Sequence, residues 1–161
     1  MTFRAVFDIN VWITGVAGPG TTYPYLPLVP PTGENSSADC MSLAFDGESF
    51  QVFISPHIIR NAYRVLVEAG VSQLTAQRFI DEIVEIVHLS GGSVVEPKRE
   101  AVELKDFEDN LILDLAIQTS AQVIVTRDLE FQRKSGWRGI AIVDPKTFLN
   151  LALSSISDNL T

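Results

Sequence analysis

The sequence predicts a three-layer α/β/α domain built on a central parallel sheet of about five strands. Three observations carry the prediction. Short apolar runs ("FRAVFDI", "FQVFIS", "SVVEP", "AQVIVT", "GIAIVD") alternate with segments whose apolar residues recur at helical spacing. "AQVIVT" has almost no polar residue, as a strand covered on both faces should. No internal repeat or second domain is visible in the 161 residues, so residues 1–161 read as one domain.

Each element follows from local chemistry. "FRAVFDI" reads as a buried first strand and "NVWITGVAG" as a short helix broken by glycines. "GPGTTYPYLPLVPPTGENSS" holds five prolines and three glycines. Neither a helix nor a central strand runs through it, so it forms a long loop at about 18–35, a lid, binding segment or surface insertion. Ser36 or Ser37 caps a second helix through about Phe45. "DGES" then turns the chain into strand two, "FQVFIS".

Ser55 followed by Pro56 is a cap followed by proline at the first helical position, and Gly70 ends the helix they open. Ile58, Ile59, Ala62, Val65 and Leu66 form its buried face. In "TAQRFIDEIVEIVHLSGG", Phe79, Ile80, Ile83, Ile86 and Val87 line one face, while Asp81, Glu82 and Glu85 form a solvated one. "SVVEP" reads as strand three, "EDNLILDLAIQTS" as a helix opening on acidic residues, and "AQVIVT" as strand four. "RDLEFQRKSGW" is a turn with one helical turn, and "GIAIVD" is strand five. Pro145 starts the last helix, and the polar tail "SISDNLT" frays.

Composition narrows the function classes. Hydrophobic residues at 46% and charged residues at 20% match a soluble globular protein. A net charge of −8 argues against a broad basic surface for duplex DNA or anionic lipid. Nucleic acid stays open, because an acidic site can reach phosphates through divalent cations. Cys40 is the single cysteine, so no intrachain disulfide can form and a reducing compartment is expected. No base is evident beside it, and it reads as a small core residue. The N-terminus does not resemble a signal peptide, and no run of about 18 apolar residues occurs. The expectation is a cytoplasmic protein with no membrane partner.

The chemistry concentrates at strand ends. Open α/β sheets bind ligands at the carboxyl ends of strands, where strand order reverses. Asp8 ends strand one, Asp128 follows strand four, and Asp109 opens the helix between. If strands one and four are neighbours, the three converge. Clustered carboxylates repel one another unless something cationic lies between them. Carboxylates with a carboxamide suit a hard cation, Mg²⁺ or Mn²⁺. Each acid also has a structural reading: Asp8 as a helix cap, Asp109 as a helix-dipole partner and Asp128 as a turn residue. His57 and His88 stand isolated and read as ordinary helix residues.

Four blocks together resemble the PIN-domain family of metal-dependent nucleases, which includes toxins of bacterial type II toxin–antitoxin pairs. They are "VFDINVWITG", "SPHIIRNAYRVL", "DFEDNLILDLAIQTSAQVIVTRDLEF" and "IAIVDPKTFL", in the family's order and across nearly the whole chain. The resemblance puts the family's first acid on Asp8, its third on Asp109 and its fourth on Asp128. Asn10 follows the first acid, and Thr126 matches a hydroxyl residue often found before the last. Two departures stand out. Ile9 replaces a usual Thr, and Asn61 occupies the position of the second acid, normally a Glu. Asn110 and Asp114 share a helix face and support the site from its edge.

The resemblance implies Mg²⁺- or Mn²⁺-dependent hydrolysis of single-stranded or looped RNA, leaving 5′-phosphate and 3′-hydroxyl ends. Arg127, Arg133, Lys134 and Arg138, with Trp137, either steer the RNA backbone or form a plain solvated loop. A cognate antitoxin and a homodimer are further partners that it implies. Two alternatives remain: a PIN-like protein that binds RNA or a partner without cutting, because of Asn61, and a phosphatase of haloacid-dehalogenase type with Asp8 as nucleophile.

Overall fold

The computed structural model describes residues 3–17, 35–102 and 104–160, with side chains as far as residue 154. Four strands form one fully parallel sheet: β1 (Phe3–Phe7), β2 (Phe50–Phe53), β3 (Val123–Val125) and β4 (Ala141–Val143). Their order is β2-β1-β3-β4. Phe3 to Val6 pair with Phe50 to Phe53 on one side of β1, and Ala5 to Phe7 pair with Val123 to Val125 on the other. The helices are α1 (Ile9–Ala17), α2 (Ser36–Phe45), α3 (Pro56–Glu68), α4 (Gln73–Leu89), α5 (Phe107–Thr119), the short α6 (Leu129–Gln132) and α7 (Pro145–Leu160).

Successive side chains of a strand point to opposite faces. Ala5, Val6 and Phe7 are all buried, as are Val123, Ile124 and Val125, so both faces of the sheet are covered. This is the α/β/α layering expected of apolar parallel strands. On one face an aromatic cluster joins two helices to the sheet. Phe7 lies 5.1 Å from Trp12 of α1, and Phe50 packs edge-on to Phe148 of α7 at 4.7 Å between centroids. Such tilted and T-shaped pairs add roughly 0.5–1.5 kcal/mol each beyond their buried area.

The sheet has four strands where about five were expected. "SVVEP" contributes one isolated parallel bridge, between Val94 and Ile54. Its partner strand leaves no room for more: Ser55 caps α3 immediately after Ile54, accepting from Ile58 N–H at 3.2 Å. The cap of α2 is Asn35, one residue earlier than the expected serines, accepting from Ala38 N–H at 3.1 Å. Gly15 does not break α1. A Cβ there would stand 2.3 Å from Met41 Sδ, so a larger residue would force the buried Met41 side chain to move. α7 continues to Leu160, through most of the tail expected to fray. The Pro/Gly-rich loop at about 18–35 lies outside the described residues, apart from Asn35. No helix among the described residues is long and apolar enough to cross a membrane.

Candidate active site

From β1 the chain crosses to β2 on one side, and β3 lies on the other. Strand order therefore reverses between β1 and β3, and a cleft of about 180 Å³ opens there at the carboxyl ends. Asp8, the residue after β1, lines it, and so does Asp128, which follows β3 by three positions. Asp109 reaches it from the first turn of α5. The three acids that the sequence singled out thus share one cleft.

Backbone and side-chain bonds fix the strand-end acids. The Asp8 N–H donates to Val125 O at 2.8 Å, continuing the β1–β3 ladder by one residue. Its Oδ1 accepts from Ile9 N–H at 2.7 Å, and its Oδ2 accepts from Thr126 Oγ1 at 2.8 Å and Asn10 Nδ2 at 3.3 Å. Thr126, fully buried, also accepts from Asn10 Nδ2 at 3.2 Å and from Asp128 N–H at 3.1 Å. Asn10 Oδ1 accepts from Arg127 N–H at 2.9 Å. Asp128 caps α6, accepting from Glu130 N–H at 2.9 Å. The capping and cleft-lining readings of Asp8 and Asp128 therefore coexist in the same side chains.

α5 carries more of the cleft than the sequence indicated. Its cap is Asp106, whose Oδ1 accepts from the N–H groups of Glu108 and Asp109 at 2.8 and 3.3 Å. Asp106 and Glu108 both line the cleft with Asp109. His57, read as an ordinary helix residue, lines the opposite wall with Ile58. For His57 and Glu108 the sequence carries a partial signal, their place at the sheet edge but not the direction in which each side chain faces. His57 lies in the first turn of the helix after β2, and Glu108 in the first turn leading to β3, so both fall at the carboxyl edge of the sheet.

Other residues sit elsewhere. Asn61 does not line the cleft; its Nδ2 contacts His57 Nε2 at 2.8 Å and Glu108 Oε1 at 3.5 Å. Asn110, 7% exposed, brackets the backbone of Leu104, accepting from its N–H at 3.1 Å and donating to its C=O at 2.9 Å. Asp114, 1% exposed, accepts from the N–H groups of Glu100 and Ala101 through one oxygen, at 2.9 and 2.6 Å. Both side chains grip the segment before α5 and so set where its acidic first turn lies.

The four cations lie outside the cleft lining. Arg127 donates to Thr14 Oγ1, Arg133 pairs with Glu130, and Arg138 stacks over Trp137 at 4.6 Å. Lys134 is exposed beside them. Cys40 is buried, and burial together with the charges of Asp39 and Asp144 pushes its thiol well above the usual range, so it is inert as a nucleophile.

Among the described residues, five carboxylates surround this cleft and no lysine or arginine lines it. The electrostatics follow. Burial raises the Asp8 carboxyl above its ordinary value, and Asp128 and Glu108 add to the rise, against the bonds from Thr126 and Ile9. Burial, then repulsion from Asp106, Asp8, Asp128 and Glu108, pushes Asp109 up to about 7. The site is thus short of positive charge. Among the described residues, no three His, Cys, Asp or Glu side chains form a ready-made metal cage. The donor chemistry nonetheless fits a hard cation. Mg²⁺ typically keeps several of its waters and is held through one or two carboxylates together with substrate phosphates.

No curated protein matches the chain. A family model described as PIN domain matches residues 4–130, a span that includes every cleft carboxylate. A four-stranded parallel sheet with acids gathered at its switch point and a match over most of the sequence lead to one assignment: the chain belongs to the PIN-domain family, whose members are generally nucleases.

Proposed function

We propose that this protein is an Mg²⁺- or Mn²⁺-dependent endoribonuclease of toxin type, cutting single-stranded or looped RNA to leave 5′-phosphate and 3′-hydroxyl ends. The observation that carries the reading is the meeting of Asp8, Asp109 and Asp128 in one cleft that, among the described residues, no lysine or arginine lines. A divalent ion held there supplies Lewis-acid polarisation of the phosphate and acidifies water in its shell.

The chain's own residues do the rest. Asp8, Asp109 and Asp128 provide the oxygen ligands, and Thr126 and Asn10 hold Asp8 in place. Arg127, whose N–H is anchored on Asn10 and which directly precedes Asp128, draws the phosphodiester backbone towards the cleft. Membership of the PIN-domain family favours a nuclease over the phosphatase alternative, and Asn10, where phosphatase chemistry needs an acid, is committed to Asp8, Thr126 and Arg127.

One observation favours a second reading. α3 presents Asn61 and no carboxylate near the cleft, which suits a PIN-like protein that binds RNA or a partner without cutting. An assay on end-labelled single-stranded RNA separates the two. The nuclease reading expects cleavage that needs Mn²⁺ or Mg²⁺, stops in excess EDTA, yields 5′-phosphate ends and disappears in Asp8→Asn and Asp128→Asn. Cleavage that persists in EDTA or in both variants would overturn it. RNA binding without cleavage in Mn²⁺ would favour the second reading. A cognate antitoxin belongs to the toxin reading, which expects growth arrest on expression of the wild type but not of Asp8→Asn.

A further inference from the structure

α3 walls one side of the cleft with His57 and Ile58 and puts no carboxylate into it. A carboxylate from α5 reaches that wall instead: Glu108 Oε1 lies 3.5 Å from Asn61 Nδ2. The orientation of the Asn61 amide is determined by its neighbours. Arg64 only donates, and its guanidinium meets Asn61 Oδ1 at 3.3 Å. The amide nitrogen therefore faces Glu108, which only accepts, and His57 Nε2 at 2.8 Å. A carboxylate at position 61 would repel Glu108 across the same gap, whereas an amide attracts it.

We propose, on the reading of the cleft as a cation site, that Glu108 is a further cation-holding carboxylate and that Asn61 is its positioning residue. The negative charge absent from the cleft wall of α3 comes from the first turn of α5, and the amide on α3 holds it in place. The Glu108 charge acts on both Asp8 and Asp109, which puts it in the same electrostatic field as the strand-end acids. The competing role for Glu108 is a favourable charge at a helix N-terminus, which would not depend on residue 61.

The test moves the carboxylate from one side of the 3.5 Å contact to the other. Mn²⁺ affinity is read from the paramagnetic resonance signal of the free ion, for wild type, Glu108→Gln, and Glu108→Gln combined with Asn61→Glu. Thermal melts show that each variant is folded. Glu108→Gln is expected to weaken binding about tenfold, or about 1.4 kcal/mol. Adding Asn61→Glu is expected to bring affinity back to within about threefold of wild type, less than the 1.4 kcal/mol of a tenfold change. Unchanged affinity in Glu108→Gln would overturn the inference, as would a loss that Asn61→Glu does not recover. In both outcomes the wild type still binds Mn²⁺ and the nuclease reading stands. A wild type that binds no Mn²⁺ would overturn that reading itself, and this inference with it.

Discussion

Thr126 donates its hydroxyl to Asp8 Oδ2 at 2.8 Å, tying the end of β3 to the end of β1. Thr126 Oγ1 also accepts from Asn10 Nδ2 and Asp128 N–H, so one buried hydroxyl organises three cleft residues. Thr126→Val keeps the shape but leaves those groups without their partner. A loss of about 1–3 kcal/mol in stability is expected from urea denaturation. Mn²⁺ affinity should fall with it, and Thr126→Ser should recover most of both.

Asp109 yields a prediction about charge and pH. Its folded pKa, about 7, lies above the ordinary 3.8 of the unfolded chain. Between those values the folded state binds more protons, so the stability this group contributes is present at low pH and lost as pH rises through 7. The metal-free protein should therefore melt at a lower temperature at pH 8 than at pH 6. Asp109→Asn should flatten that dependence and raise the melting temperature at pH 8 by about 2 °C, a modest figure because the group is partly exposed to solvent. Mn²⁺ should stabilise the wild type more at pH 8 than at pH 6, since proton and cation compete for the same oxygens. A melting temperature that rises from pH 6 to 8 in the wild type alone would refute the account of Asp109.

Asp114 tests the support beneath α5. Asp114→Ala strips the acceptor from the Glu100 and Ala101 N–H groups, at a cost of about 2–4 kcal/mol in chemical denaturation. Asp114→Asn keeps the oxygen that accepts both bonds and should cost about 1 kcal/mol. Equal losses in the two variants would mean that the charge, and not the two bonds, holds the segment.

Much of this arrangement was legible in the sequence, for definite physical reasons. Ser55–Pro56 marks the start of α3, and the apolar run around Val123–Val125 marks a strand buried on both faces. Asp8, Asp109 and Asp128 stood out because each lies beside a strand end or in a helix's first turn. What stayed hidden depends on tertiary geometry. Asn110 and Asp114 share a helix face, as their spacing requires, but that face meets the backbone of Glu100, Ala101 and Leu104 and not the cleft. Glu108 was passed over beside Asp109, since nothing local says which residues of a first turn face inward. "SVVEP" has strand composition, but strand length depends on the neighbour, and β2 ends too soon to pair with it.

Arg127 addresses the approach of the substrate. If it contacts one phosphate of single-stranded RNA, Arg127→Ala should reduce the slope of log affinity against log salt by about 0.7. Binding should weaken most at low salt, and the difference should close as salt rises. An unchanged slope would assign Arg127 to the Thr14 contact alone.

A divalent cation is expected among the acids of this cleft. The most direct measurement is anomalous diffraction from crystals of the protein grown or soaked in Mn²⁺. A peak is expected between Asp8, Asp109 and Asp128, with at least one of their oxygens in direct coordination, and no such peak in Asp8→Asn. A cleft without Mn²⁺ at millimolar concentration, its carboxylates arranged as they are now, would contradict it.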